Sequence, residues 1–150
     1  MNSNKIHIMR KFQRNYRVEF DIGKYDLQGK GTFELDETVE ISYPIAISFN
    51  VQNSAFGEQC AGKITLYNLN PLVRAKLWRD EFDLEKCIRV RLFAGYGDNL
   101  PCIYYGVVSS CYSYKSGGET EFITDINMTN FEDFLNIGYF SYTFNKGTKA

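Results

Sequence analysis

The sequence has few of the residues that mark linkers, metal sites or basic surfaces. Its 150 residues include three prolines, one histidine and one tryptophan, and 17 Lys and Arg nearly balance 18 Asp and Glu for a net charge of -1. So few prolines leave little room for a Pro-rich linker. A nearly neutral chain also lacks the basic excess by which proteins grip phosphates. The hydrophobic content of 44% argues against disorder.

Long apolar runs are missing as well. No apolar stretch reaches the length of a membrane-spanning helix, and the first eight residues contain no signal-peptide core. We therefore expect a protein that is made and kept in a cytoplasm, with no membrane partner.

The cysteines, at positions 60, 87, 102 and 111, have spacings that match no zinc or redox motif. Each lies in or beside an apolar segment, which indicates small buried hydrophobes. The one histidine, His7, lies far from them in sequence, which argues against a metal site and against a Ser/His/Asp or Cys/His catalytic set. We expect no metal, no cofactor and no enzymatic activity.

The sequence is rich in apolar residues that alternate with polar ones. Phe (12) and Tyr (11), which favour strands, make up most of the 16% aromatic content. Alternation with a period of two recurs around residues 16–22, 33–36, 39–51, 63–67, 88–92, 103–114 and 121–128. This pattern predicts eight or so strands, each with one buried face, as in antiparallel sheets.

Proline and glycine predict where the strands are interrupted. Pro44 lies inside the ladder from Val39 to Val51 and has no backbone N–H, so we expect a bend, a bulge or a sheet edge there. Glycine-containing segments at 29–31, 95–99 and 115–119 are typical of hairpin loops.

One segment departs from the period of two. Asn70 is a good N-cap, Pro71 suits the first helical position, and apolar residues follow at helical spacing. We predict a helix at about 71–80 and a shorter one at 131–135. The fold class is therefore mainly β: an antiparallel β-barrel or sandwich with one short flanking helix.

Several patterns that carry chemistry in other proteins have a structural interpretation here. A strand follows Gly95–Gly97, so this is a hairpin turn and not a phosphate loop. Glu121 and Asp125 share a polar strand face, which is typical of solvated side chains. Arg89 and Arg91 are expected to pair with carboxylates or face solvent. An interface or a small-ligand site is predicted for the tyrosines Tyr104, Tyr105, Tyr112 and Tyr114.

The order of the pieces between residues 45 and 124 resembles a known family. An alternating strand leads into Gly-Lys-Ile-Thr-Leu-Tyr-Asn-Leu-Asn (62–70) and a capped helix. There follow Arg-Val-Arg-Leu-Phe-Ala-Gly-Tyr-Gly-Asp (89–98), Ile-Tyr-Tyr-Gly-Val-Val (103–108) and Tyr-Ser-Tyr-Lys-Ser-Gly-Gly (112–118). This order is similar to that in the amino-terminal, tail-tube-like domain of tailed-bacteriophage baseplate hub proteins and in their tail-tube relatives.

The resemblance implies a virion protein of the tail or baseplate hub, made in the host cytoplasm. Domains of that family join their sheets edge to edge in a ring that continues the tail tube, and DNA passes through the central channel at ejection. The implied partners are further copies of the chain, with a trimer favoured over a hexamer, and the tail tube and baseplate or spike proteins. We expect an amino-terminal arm at 1–13, the tail-tube-like domain at 14–136, and an extension at 137–150 that begins a further element.

Polar residues on two neighbouring predicted strands are the candidates for the channel lining: Ser48, Asn50, Gln52, Lys63 and Thr65. The alternative function is a small β-barrel module that binds a sugar or an apolar ligand through the four tyrosines.

Overall fold

The computed structural model describes residues 14–25, 32–52, 60–80, 82–83, 85–117 and 120–130. They form β1 (Arg14–Tyr25), β2 (Phe33–Ser42), β3 (Ile47–Val51), β4 (Ala61–Tyr67), α1 (Pro71–Leu77), β5 (Lys86–Tyr96), β6 (Cys102–Lys115) and β7 (Phe122–Thr129). The predicted arm at 1–13, the turn at 29–31, the helix at 131–135 and the extension at 137–150 lie outside the described residues.

All seven strands belong to one antiparallel sheet in the order β2-β1-β5-β6-β7-β4-β3. The predicted mainly β, antiparallel class with one short helix is therefore confirmed. No backbone pairing joins β2 to β3 in the part of the chain that the structure describes, so the sheet is not closed into a barrel. A side chain spans the gap instead, because the Tyr16 hydroxyl of β1 donates to the carbonyl of Ile45 just before β3.

The core lies on one face of the sheet because alternate residues of each strand are apolar. Three cross-strand pairs of β1 and β5 are fully or almost fully buried: Val18 with Leu92, Phe20 with Val90, and Ile22 with Ile88. The remaining strands complete this core with Ile41, Ile64, Leu66, Tyr104, Val108, Cys111, Ile126 and Met128. Burial of each large apolar side chain stabilises the fold by roughly 1.5–3 kcal/mol.

Pro44 interrupts the long ladder as predicted. The chain turns at residues 43–45, with a cis peptide bond between Tyr43 and Pro44, so that the ladder divides into β2 and β3 at the two edges of the sheet. The described residues contain seven strands, slightly fewer than expected, because the segments 33–36 and 39–42 form one continuous strand.

The helix begins where the sequence predicts and ends earlier. Asn70 caps it, since its side-chain oxygen accepts from the backbone N–H of Leu72 at 2.8 Å. The helix was expected to reach residue 80 but ends at Leu77, because Arg79 pairs as a strand residue with Cys111 of β6. Leu77 anchors the helix with only 1% of its surface exposed. Within the described ranges, no helix is both long enough and apolar enough to cross a lipid bilayer.

The hairpin between β5 and β6 is confirmed. Gly97 has a positive φ of 60°, which favours glycine, and the N–H of Asn99 donates to the carbonyl of Tyr96. Of the predicted loop at 115–119, residues 118 and 119 lie outside the described ranges.

Candidate functional site

Four of the five candidate channel residues lie together on the face of the sheet opposite the core. Ser48 of β3 pairs with Thr65 of β4, and Asn50 pairs with Lys63. Gln52 follows β3, and its backbone N–H donates to the carbonyl of Ala61 at 2.9 Å. These pairs bring residues far apart in sequence onto one surface. That this surface lines a channel stays a prediction.

Asp125 of β7 connects this surface to its neighbours. Its carboxylate accepts from Lys63 Nζ at 2.9 Å, from Thr65 Oγ1 at 2.8 Å and from the Tyr114 hydroxyl at 3.3 Å. Partial burial acts to raise the pKa of Asp125, but the hydrogen bonds from Lys63 and Thr65 and the Lys63 charge outweigh it and hold that pKa below its ordinary value. The hydrogen bond to Asp125 raises the pKa of Lys63. Both groups are therefore ionised at neutral pH, and they neutralise each other.

The same surface continues onto β6 with polar and aromatic side chains. Tyr112 is the cross-strand partner of Asp125, and its hydroxyl donates to Asp80 Oδ1 at 3.4 Å. Asn127 Nδ2 donates to Ser110 Oγ at 3.0 Å. We call the surface formed by Ser48, Asn50, Lys63, Thr65, Tyr112, Tyr114, Asp125 and Asn127 the polar face. It carries hydroxyl, amide and aromatic groups but little net charge.

The four tyrosines that were predicted to act together are divided between the two sides of the sheet. Tyr104 is buried, and its hydroxyl donates to the carbonyl of Cys60 at 3.3 Å. Burial raises the pKa of Tyr104 to about 12. In contrast, Tyr105, Tyr112 and Tyr114 are exposed. A single ligand site built from all four tyrosines is therefore excluded.

A β-bulge in β6 explains why the side chains after Val108 change faces, which the alternation of apolar and polar residues alone did not predict. Val108 and Cys111 both face the core although they are three residues apart, an odd spacing that a regular strand cannot give. The pairing of β6 with β7 shifts between Val108 and Ser110, which inserts one extra residue. The adjacent serines Ser109 and Ser110 are the sequence signal that could have indicated it.

Arginines on the other half of the outer surface are engaged by acids and rings. Arg91 NH2 lies 3.1 Å from Glu19 Oε2 and 2.9 Å from Asp21 Oδ2. The guanidinium of Arg89 lies 4.1 Å from the ring centre of Phe33. Pairing with carboxylates is therefore confirmed for Arg91, while Arg89 packs on an aromatic ring. Neither side chain forms an open basic surface of the kind that binds nucleic acid.

Sequence reasoning missed a cleft of about 480 Å³ where β3 passes the ends of β1 and β5. It is lined mainly by Tyr16, Ile47, Phe49 and Tyr96, with Arg14 and Asn15. The cleft forms because β2 stops at Ser42, the partner of Arg17, and so leaves the first three residues of β1 without a partner on that side. Only non-local pairing creates this gap, so no local sequence signal marks it.

The three buried cysteines do not form a reactive centre. All four cysteines are free; Cys60, Cys87 and Cys111 are buried, and Cys102 is exposed. Burial raises the pKa of Cys111 to about 12, so this thiol stays protonated at neutral pH. The described residues include no group of three or more His, Cys, Asp or Glu that could hold a metal ion.

The two edges of the sheet are the remaining candidate surfaces. Within the described ranges β2 pairs only with β1, and β3 pairs only with β4. Each edge therefore presents backbone N–H and C=O groups on which another strand could add.

Comparisons with known proteins give weak similarity only. No protein-family model matches the chain, and no curated protein matches it. Among solved structures, chains of the Francisella PdpA–VgrG complex in its half-lidded and lidded forms are similar, with TM-scores of 0.44 and 0.40 and 11% identity in each case. The similarity covers 77% of this chain and 17% and 16% of those chains, so this chain spans about a sixth of their length. A TM-score below 0.5 at this identity does not establish a shared family, and membership of the phage hub family stays a prediction.

Proposed function

We propose that this protein is a non-catalytic structural subunit of a phage-type tail or baseplate hub. Copies of the chain form a ring that continues the tail tube, a trimer being favoured over a hexamer. The proposal rests on the order of sequence pieces between residues 45 and 124 and, above all, on one structural observation. The seven-stranded sheet is not closed into a barrel, and within the described ranges the edge strands β2 and β3 each have a partner strand on one side only. Two different edges on one molecule suit head-to-tail contacts, which give a ring when the rotation between successive copies closes.

The polar face supports the role of a channel wall. Its lysine is neutralised by Asp125, so the face presents no free cation among its named members to hold passing phosphates. Its hydroxyl and amide groups keep the surface wetted. The tail tube and the spike or baseplate proteins are the proposed axial partners, and DNA is a partner in passage only. The virion tail is the proposed location.

Native mass measurement and negative-stain imaging of the purified full chain test the proposal. We expect closed rings of one copy number, three for a hub and six for a tube. A chain that stays monomeric at all accessible concentrations, and in the presence of tail tube proteins, contradicts the ring.

The cleft favours a second candidate function, a binding module for a sugar or an apolar ligand. Its volume of about 480 Å³ falls in the usual range of ligand pockets, and aromatic side chains line it. Thermal denaturation in the presence of sugars and small apolar compounds tests this candidate. A saturable rise in the melting temperature that Tyr96→Ala abolishes would favour the binding module over the structural subunit.

A further inference from the structure

Phe82 is the most exposed large apolar side chain in the part of the chain that the structure describes, with 84% of its surface accessible. It lies between α1 and β5, where the chain turns. Single exposed apolar residues are common on protein surfaces. This one differs because hydrogen bonds hold the turn that carries it.

Two aspartates fix the turn around Phe82. Asp80 Oδ1 accepts from the backbone N–H of Phe82 at 3.3 Å and from the Tyr112 hydroxyl of β6 at 3.4 Å. Asp83 Oδ1 accepts from the backbone N–H of Lys86, the first residue of β5, at 3.1 Å. The turn is therefore tied to β5 and β6 and presents Phe82 in a defined position. Such preorganisation lowers the entropy that binding costs.

The cleft beside β3 has room for an aromatic ring. Its volume is about 480 Å³, and Tyr16, Phe49 and Tyr96 supply aromatic walls. Aromatic rings pack favourably against one another in edge-to-face or offset arrangements. A phenylalanine side chain is therefore a suitable occupant.

The charges near Phe82 and near the cleft are opposite. Arg14 is the one charged residue among the described residues that line the cleft, and it is exposed. The residues on either side of Phe82 are acidic, since Glu81 precedes it and Asp83 follows it. Attraction between the acidic segment and Arg14 favours one orientation of the ring in the cleft.

Phe82 cannot enter the cleft of its own chain, because the two lie at opposite ends of β5. Gly95, which lines the cleft, is nine residues along β5 from Lys86, or about 31 Å at about 3.4 Å per residue. The four residues from Phe82 to Lys86 span at most about 14 Å. At least about 17 Å therefore separates the Cα atoms of Phe82 and Gly95. A phenylalanine side chain does not bridge that distance.

We propose that Phe82 of one copy inserts into the cleft of a second copy, with its acidic neighbours close to Arg14. The contact joins one end of a sheet to the opposite end of the next, so it is head to tail and repeats from copy to copy. It goes beyond the proposed ring because it involves the ends of the strands and not the edges of the sheet. One aromatic ring buries only about 150–250 Å², so the contact is strongest where several pairs of copies make it together.

Two variants of the full chain test the two sides of the contact. Phe82→Ser removes the inserted ring, and Tyr96→Glu replaces an aromatic wall of the cleft with a carboxylate. Leu72→Ser and Tyr105→Glu are the matched controls, because they make equivalent changes at exposed residues elsewhere. Circular dichroism and thermal melting verify that each variant is folded. Sedimentation velocity at concentrations up to roughly 1 mM measures association, including weak association.

We expect the wild type and both controls to associate as the concentration rises. Phe82→Ser and Tyr96→Glu should each associate at least about tenfold more weakly, because a buried aromatic anchor carries much of the energy of a contact. Mixing the two variants restores one contact, since Phe82→Ser keeps its cleft and Tyr96→Glu keeps Phe82. Through this contact the mixture forms one-to-one pairs that do not extend further.

Photo-crosslinking locates the contact directly. Benzoylphenylalanine in place of Phe82 should give a covalent dimer on irradiation. Mass spectrometry should place the crosslink within residues 14–16, 47–49 or 94–96 of the other copy. The same photoreactive residue in place of Leu72 is the control and should not link to these segments.

Three results overturn the inference. They are a Phe82→Ser variant that associates as strongly as Leu72→Ser, a crosslink from position 82 that does not reach the cleft, and a wild type that stays monomeric and gives no crosslinked dimer. If the wild type forms rings whose mass and association Phe82→Ser leaves unchanged, this inference fails and the proposed function stands. If copies associate through Phe82 and form no closed ring, this inference stands and the proposed ring fails.

Discussion

At the scale of single residues, the polar face owes its order to Asp125. Its carboxylate holds Lys63, Thr65 and Tyr114 together across three strands. No sequence pattern indicates this, because Lys63 and Asp125 are 62 positions apart and meet only through the pairing of β4 with β7. The sequence did predict that each residue lies on a polar strand face, since that follows from local alternation.

The substitution Asp125→Asn tests the contribution of this carboxylate. We expect a loss of about 1 kcal/mol in the free energy of unfolding at pH 7, because the amide oxygen still accepts a hydrogen bond but only a neutral one, which contributes about 1 kcal/mol instead of about 1.5–3. The exposed Lys63 pair adds little. The folded-state pKa is lowered, so this stabilisation is present above the unfolded pKa of about 3.9 and disappears as the pH falls through the lower folded-state pKa.

Urea denaturation of the wild type and the variant across pH 7 to pH 2.5 measures the difference. Asp98→Asn, in the exposed turn after β5, is the matched control and should change stability little. A wild-type-to-variant difference that stays constant over the whole pH range would show that the charge of Asp125 contributes nothing.

At the scale of elements, local patterns predicted the strands and the start of the helix, and non-local contacts decided the rest. The alternation in β1 and β5 and the cap at Asn70 follow from neighbouring residues alone. The end of α1 does not, because Arg79 leaves the helix to pair with Cys111, 32 positions away. The bulge in β6 and the cleft beside β3 also depend on which strands meet. The separation of Tyr104 from Tyr105 needs no such contact, because adjacent residues of a strand point to opposite faces of the sheet.

Lys86 contributes to the end of the helix. Its Nζ donates to the carbonyls of Lys76 and Trp78 at 2.7 Å each, where the helix leaves carbonyl groups without internal partners. We expect Lys86→Met to lower the free energy of unfolding by about 1–2 kcal/mol. Burial lowers the pKa of Lys86, so part of the interaction offsets the cost of desolvating its charge.

Trp78 is the only tryptophan and lies at this helix end, so its fluorescence reports directly on the change. Urea denaturation followed by that fluorescence measures the loss. Lys115→Met, on the exposed end of β6, is the control. Equal stability of Lys86→Met and the control would show that the two hydrogen bonds do not stabilise the helix.

At the scale of the whole molecule, the sheet has two different edges, and its outer face has two halves that differ in their charges. In the half formed by β1 and β5 the charges of Arg91, Glu19 and Asp21 are paired. The other half is the polar face, which extends from β3 to β6. If the edges join copies into a ring, one of these halves lies nearer to the channel than the other.

Asn50→Trp tests which surface faces inward. Asn50 is exposed on β3, so the larger side chain should leave the fold intact. We expect rings with a channel that is narrower by a few ångströms in class averages from electron cryomicroscopy, and a melting temperature close to that of the wild type. Lys115→Trp, at the end of β6, is the control for added aromatic bulk. An unchanged channel with extra density on the outer rim would place the polar face outside.

Because one cysteine is exposed and three are buried, labelling of the exposed thiol can report how many copies of the chain an assembly contains. Cys102 is exposed at the start of β6, whereas the other three cysteines are buried, and Cys111 stays protonated. A maleimide dye should therefore attach to one site per folded chain under native conditions. Stepwise photobleaching of a single labelled particle then gives the number of subunits directly, without imaging the ring.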